Sequence, residues 1–223
     1  GKLIPTEHGL MLFDEVQRSY LGLERIGNAV EALRHFRYGQ IAVACLPAFS
    51  TTLLPRASQH FCSKFPGMSI NVTPLESPAL QESLAKQRYH LGLTEEPIIP
   101  SGTKIEPLLT MDEVCVLPPG HRLCEKETLT PQDFLGVDFV SLAAGDPYRK
   151  KIDNIFREND VERRVVVETH SAAAVCATVR LGVGAAIVNP LTALKYAKMG
   201  LQIRRFSHSV PYSVNLVTPL FRP

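Results

Sequence analysis

"GQIAVACLPAFSTTLLP", running from Gly39 to Pro55, changes character midway. Gln40 to Leu46 is a run of small and β-branched apolar residues, the mark of a strand buried on both faces. The run stops at Pro47. Ser50, Thr51 and Thr52 come next, just before the leucines that open an apolar-periodic segment. Three hydroxyls where a buried strand hands over to a helix can cap that helix, or they can floor a binding site. A strand buried on both faces needs helices above and below it, so an α/β fold is expected for the rest of the chain.

Strand and helix patterns alternate from Gly39 onward. Strands are expected over 40–46, 69–74, 91–94, 113–117, 139–142, 165–168, 185–188 and 214–217, with helices over 53–65, 78–87, 148–158, 172–181 and 191–199. Such alternation implies parallel sheets covered by helices. Strand openings recur around Gln40 and again around Val137, which predicts two similar α/β halves rather than one wide sheet. "PIIPSGT", from Pro97 to Thr103, reads as the exit from the first half.

The first 38 residues differ. Apolar residues recur at Leu12, Val16, Leu23, Ile26, Val30 and Leu33, in steps of four and three broken only at Ser19. That spacing is a narrow seam, the pattern of a helix that pairs with a copy of itself. An ordinary amphipathic helix lying on a core is the alternative. Basic and acidic residues balance along this segment, which makes it a poor grip on DNA.

Composition narrows the function classes. A chain of 223 residues with 45% apolar content can fill a real core. A net charge of +2 argues against nucleic-acid binding by this segment alone. No stretch approaches the roughly 18 apolar residues of a membrane span, and no secretory signal pattern opens the chain. Cys45, Cys62, Cys115, Cys124 and Cys176 are scattered without metal-ligand spacing, so neither a zinc site nor any other metal or cofactor is expected. The chain reads as reduced and cytoplasmic.

In open α/β sheets ligands sit beyond the carboxyl ends of strands, where helix starts offer free backbone N–H groups. Four places fit that description: Ser50-Thr51-Thr52, Glu76-Ser77, Thr94-Glu95 and Thr169-His170-Ser171. Hydroxyls and helix starts suit a carboxylate, while Glu76 and Glu95 suit an ammonium. The combination points to an amino acid. Ser141 and Asn189 extend the candidate set from the second half. Catalysis finds no matching pattern. Ser50 lacks a G-x-S-x-G elbow, adjacent His170 and Ser171 do not aim at each other, and "RLGVGAA" has its glycines after a helix rather than before one.

In its order and spacing the whole chain resembles the LysR-type transcriptional regulators. "PTEHG" and the seam look like the end of that family's DNA-binding domain and its linker helix. "GQIAVACLP", "LLPRASQHFCSKFPGMSINV", "DEVCVLPPGHRL" and above all "VRLGVGAAIVNP" are similar to its effector-domain segments. His90 stands where the family commonly has an aspartate. The resemblance implies two Rossmann-like subdomains of the periplasmic-binding-protein kind with a cleft between them, preceded by a dimerising helix. Residues 1–38 would be the end of the DNA-binding domain and the linker helix, 39–110 with 207–223 the first subdomain, and 111–206 the second. It also implies a homo-dimer or homo-tetramer, DNA contact through an N-terminal winged helix-turn-helix absent from this chain, and Ser50-Thr51-Thr52 as one wall of the effector cleft. "DEVCVLPPGH", "VETHSAA" and "NPLTAL" look most like the branch that governs lysine synthesis, which implies diaminopimelate or lysine as effector.

A two-lobed solute-binding protein for amino acids is the alternative reading, and a small-molecule enzyme a more distant one. The self-pairing seam favours the regulator. Replacing Leu23 and Ile26 together by glutamate should weaken self-association, because charge in an apolar seam is costly. Light scattering should then report a lower mass, and an unchanged mass would remove the seam.

Overall fold

Gln40–Cys45 (β1) carries side chains small enough for a strand with neighbours on both sides. It pairs in parallel with Ser69–Pro74 (β2) and with Leu91–Thr94 (β3). The computed structural model describes residues 39–95 and 99–220, together with Thr6, Val16, Ile26, Gly27 and Val30. Between the strands run Pro47–Thr52 (α1), Leu54–Lys64 (α2) and Ala79–Ala85 (α3). The helix expected over 53–65 is α2, and a further short helix, α1, which the sequence pattern did not predict, precedes it and contains the hydroxyls. Pro47 suits a first helical turn because its absent N–H would have no partner there. Pro55 cannot donate back to Thr51, so the ladder breaks and restarts at Leu54.

Thr103–Asp112 (β4) is followed by Val114–Leu117 (β5), Thr128–Leu129 (β6) and Asp138–Leu142 (β7). Pro147–Glu158 (α4), Arg164–Thr169 (β8), Ala172–Arg180 (α5), Ala186–Val188 (β9) and Pro190–Ala197 (α6) come next. Gln202–Phe206 (β10) and Pro211–Pro219 (β11) end the series. Two compact units result. One takes the described residues up to Ser50, then 54–108 and those from Asn215; the other takes Thr51–Leu53 and Leu109–Val214. The divisions fall inside α1, at the start of α2, and inside β4 and β11.

The two units share one plan. In the first the strand order is β2-β1-β3-β11-β4, a parallel trio with β11 antiparallel to β3. In the second β8 pairs in parallel with β7, and a parallel bridge from Phe139 to Ala185 joins β7 to β9. There β5 is antiparallel to both β9 and β10. Strand directions are therefore mixed in both units, not purely parallel as the alternation implied. Each parallel trio has its first strand in the middle, and each is extended by an antiparallel neighbour.

Apolar contacts set both cores. In the second unit Phe134, Phe139 and Phe156 are buried and meet edge-to-face, with centroids 5.5–6.0 Å apart, and Phe206 stacks on Phe156 at 6.0 Å. Such ring pairs add stability beyond the area they bury. In the first unit Ala44, Leu80, Leu84 and Val217 form the buried cluster. Among the six seam positions, Val16, Ile26 and Val30 are helical and exposed, while Leu12, Leu23 and Leu33 lie outside the described residues.

Two backbone approaches hold the trios together. At Gly184 the chain passes so close to β7 that a Cβ would run into the carbonyl of Asp138, while Ala185 N donates to that same carbonyl at 2.8 Å. At the start of β3, His90 N donates to Ala42 O at 2.9 Å and the His90 ring closes the pair by accepting Ala42 N on Nδ1 at 2.9 Å. An accepting Nδ1 means the proton sits on Nε2. The imidazole nitrogen does here what an aspartate oxygen would do.

Gly184→Ala should destabilise the fold by about 1–3 kcal/mol or more, since backbone rather than a yielding side chain opposes the new methyl. A shift in urea midpoint at constant slope would show it. His90→Leu strands the Ala42 N–H and should cost about 1–3 kcal/mol. His90→Asp, which restores an acceptor, should recover part of that loss in the same urea titration.

Candidate functional site

Each parallel trio delivers its strand ends to one edge. In the first unit β1, β2 and β3 run the same way, so the segments after Cys45, Pro74 and Thr94 emerge together. Thr94 is buried and stands opposite Asn215 of β11, whose side-chain amide donates to Glu95 O at 3.4 Å. Glu95 is half-buried and Glu76 is exposed.

Three helix-cap readings need correcting here, the first being Thr94-Glu95, since no helix lies between β3 and β4 among the described residues. Ser50 Oγ donates back to Pro47 O at 2.7 Å, so the hydroxyl is bonded inside α1 and caps no helix start. Thr51 and Thr52 finish that same helix; Thr51 is exposed and Thr52 half-buried. Ser77 is not a cap either. The N-cap of α3 is Pro78, without a side-chain bond, and Glu76 contributes its carbonyl, which accepts Leu80 N at 3.0 Å.

In the second unit β7, β8 and β9 also share a direction, and Ser141, Thr169-His170-Ser171 and Asn189 lie at their carboxyl ends. Ser171 caps α5, accepting Ala174 N at 3.4 Å, and Thr169 Oγ1 accepts Ser171 N at 3.4 Å. Asn189 caps α6 through Thr192 N at 2.9 Å. His170 is exposed, while Ser141 and Asn189 are buried.

Sequence reasoning missed the residue that organises this edge. Arg149 lies in the first turn of α4, a helix capped by Asp146, which accepts the N–H groups of Tyr148 and Arg149. Its Nη1 donates to Ser141 Oγ at 2.5 Å and to Leu142 O at 2.8 Å, and its Nε to Asp153 at 2.7 Å. Glu168 of β8 pairs with the same Nη1 at 3.4 Å. Asp153 is shared with Arg163, whose guanidinium lies over the rings of Phe139 and Phe156 at 4.7 and 4.4 Å. Burial, and then the neighbouring Arg149, lowers the Arg163 pKa to about 10, which leaves it a cation at neutral pH. One signal was available in "GDPYRKK". A cation in a helix's first turn opposes the helix dipole, so Arg149 needs acceptors waiting nearby.

The buried thiols are not poised for chemistry. Burial pushes Cys45 up to about 11 and, with Glu113 adding to it, Cys176 up to about 12. His121 is held below its ordinary value by burial and by Arg122, and its Nδ1 accepts Leu123 N at 3.2 Å in a turn. Among the described residues no group of three His, Cys, Asp or Glu side chains could hold a metal ion. Among the same residues no helix is long and apolar enough to cross a membrane.

Known proteins resemble this chain in sequence and in fold. Residues 36–223 match the LysR substrate binding domain. The chain belongs to the LysR family of transcriptional regulators. It is 55% identical over all 223 residues to the transcriptional activator protein LysR of Escherichia coli K12, of which it spans 72%. It is 30% identical, again over its whole length, to the regulatory protein NocR of Agrobacterium tumefaciens T37, spanning 74% of that protein. The regulatory domain of Synechocystis PCC6803 CcmR, solved in complex with 2-PG, superposes with a TM-score of 0.69 at 18% identity. The match covers 83% of this chain and 89% of that one. The chain is thus the effector-binding, regulatory part of such a protein and not a catalytic module.

Proposed function

We propose that this chain senses an amino-acid effector, diaminopimelate or lysine, and through it controls transcription of lysine metabolism. The observation that carries this reading is the 55% identity, along the entire chain, to the LysR activator. The chemistry at the strand ends supports it. Hydroxyls and amides of Ser50, Thr51, Thr52, Ser77, Thr94, Ser141, Thr169, Ser171 and Asn189, together with the ring of His170, offer polar contacts to a carboxylate. Glu95, with Glu76 as the alternative, offers a countercharge to an ammonium. Ser50 can exchange its bond to Pro47 O for one to a ligand oxygen at little cost, because one hydrogen bond replaces another.

Effector would favour one conformation over another only through its differential affinity for the two. A coupling of about 1–3 kcal/mol to DNA-binding heads is typical and sufficient to re-weight how they engage an operator. Those heads would be N-terminal winged helix-turn-helix domains, brought together in a homo-dimer or homo-tetramer by the seam from Leu12 to Leu33.

Isothermal titration with meso-diaminopimelate and with lysine tests the reading. Ser50→Ala should lower affinity by about 1 kcal/mol, or more if it meets a charged oxygen. Glu95→Gln, which keeps the shape and removes the charge, should weaken both diamino ligands more than a mono-amino analogue. Parent-like binding by both variants, with only the melting temperature changed, would remove these residues from the site. Failure of the parent to bind either ligand would remove the effector assignment.

A further inference from the structure

We infer that Glu168 is a specificity-determining residue of the effector site, a carboxylate that Arg149 orients to receive an ammonium group. The inference rests on the amino-acid reading above and adds to it a residue of the second unit.

The geometry at Arg149 Nη1 carries it. That nitrogen has two hydrogens. The contacts to Ser141 Oγ at 2.5 Å and Leu142 O at 2.8 Å engage both. Glu168 Oε2, at 3.4 Å from the same nitrogen, accepts only a long hydrogen bond, sharing a hydrogen that already serves a shorter contact. Its other oxygen, Oε1, meets Ala144 N at 3.4 Å, again a long contact. Both carboxylate oxygens are therefore held in direction and left with acceptor capacity, since an ionised carboxylate can take about four hydrogen bonds.

Exposure separates the two partners. The Arg149 side chain is 12% exposed and that of Glu168 is 47% exposed. Arg149 is committed to the interior and Glu168 faces solvent. Asp153 is the shared carboxylate of Arg149 and Arg163, so it balances two cations and has no charge to spare for a ligand. Glu168 is the carboxylate of this network that remains available.

Its place agrees with that role. Glu168 stands beside Ser141 in the β7–β8 register, one residue before Thr169 and the capped start of α5. This is the carboxyl edge of a parallel pair, where α/β sheets take ligands. An ammonium has three donors on a compact charge and fits two half-satisfied carboxylate oxygens. A second carboxylate on the ligand would be repelled here.

Titration of the purified chain with meso-diaminopimelate, lysine and pimelate, the last lacking ammonium groups, tests the assignment. Glu168→Gln should weaken diaminopimelate and lysine about tenfold or more, the loss of one charged hydrogen-bonding partner. Pimelate should bind the variant as well as the parent or better, because a repulsive charge is gone. That opposite response is one a purely structural role would not produce. If the variant binds diaminopimelate and lysine within twofold of the parent, or loses all three ligands equally, Glu168 is not a recognition residue while the effector reading stands. If the parent binds neither diaminopimelate nor lysine, both fall together.

Discussion

Parallel pairing of short apolar strands constrains everything else in this protein. Strands such as β1 and β7 are buried, and successive parallel neighbours can be joined only by a crossover that returns the chain to its starting side. Every such crossover here contains a helix, so β1, β2, β7, β8 and β9 each end where a helix begins. Polar side chains are costly in the middle of such strands, and they gather at the carboxyl ends and in the turns that follow. Thr94-Glu95 in one unit and Ser141, Glu168 and Asn189 in the other are consequences of that rule. Each of these polar edges is the by-product of a folding constraint, refined by the choice of residues along it.

Much of the fold was legible from residues whose signal is local. The apolar run of β1, the Asp146-Pro147 and Asn189-Pro190 helix starts, and Ser171 ahead of an alanine-rich helix each say what they do within a few positions. Elements stabilised from afar were not legible. β4 is mostly exposed and contains Pro107, which a strand tolerates at an edge, where β4 lies in its sheet. β10 reads as charged because of Arg204 and Arg205. Arg204 nevertheless belongs there, since its guanidinium donates to the carbonyl of Cys124, a partner far away in sequence.

The candidate site divides along the same line. Residue types at strand ends could be named from the sequence, but their partners could not. Ser50 read as a cap and is bonded within its own helix, because two prolines, Pro47 and Pro55, shift where the helices begin and end. Ser141 was named, whereas Arg149, which holds it, was not. A hydrogen bond from a helix's first turn back to the preceding strand has no periodicity to betray it. The network from Glu168 through Arg149 and Asp153 to Arg163 joins two strand ends to the aromatic core. That linkage gives the exposed carboxylate a rigid base.

The burial of the thiols has a practical side. Cys45, Cys115 and Cys176 are wholly enclosed and Cys124 is half-buried, while Cys62 lies open on α2. Only a thiolate reacts readily with maleimides, and enclosure both hides a sulfur and disfavours that ionised form. A fluorophore added to the native protein will therefore settle first on Cys62, marking a single helix of the first unit without any engineered cysteine. Dye uptake beyond Cys62 and the half-buried Cys124 would report openings of the core.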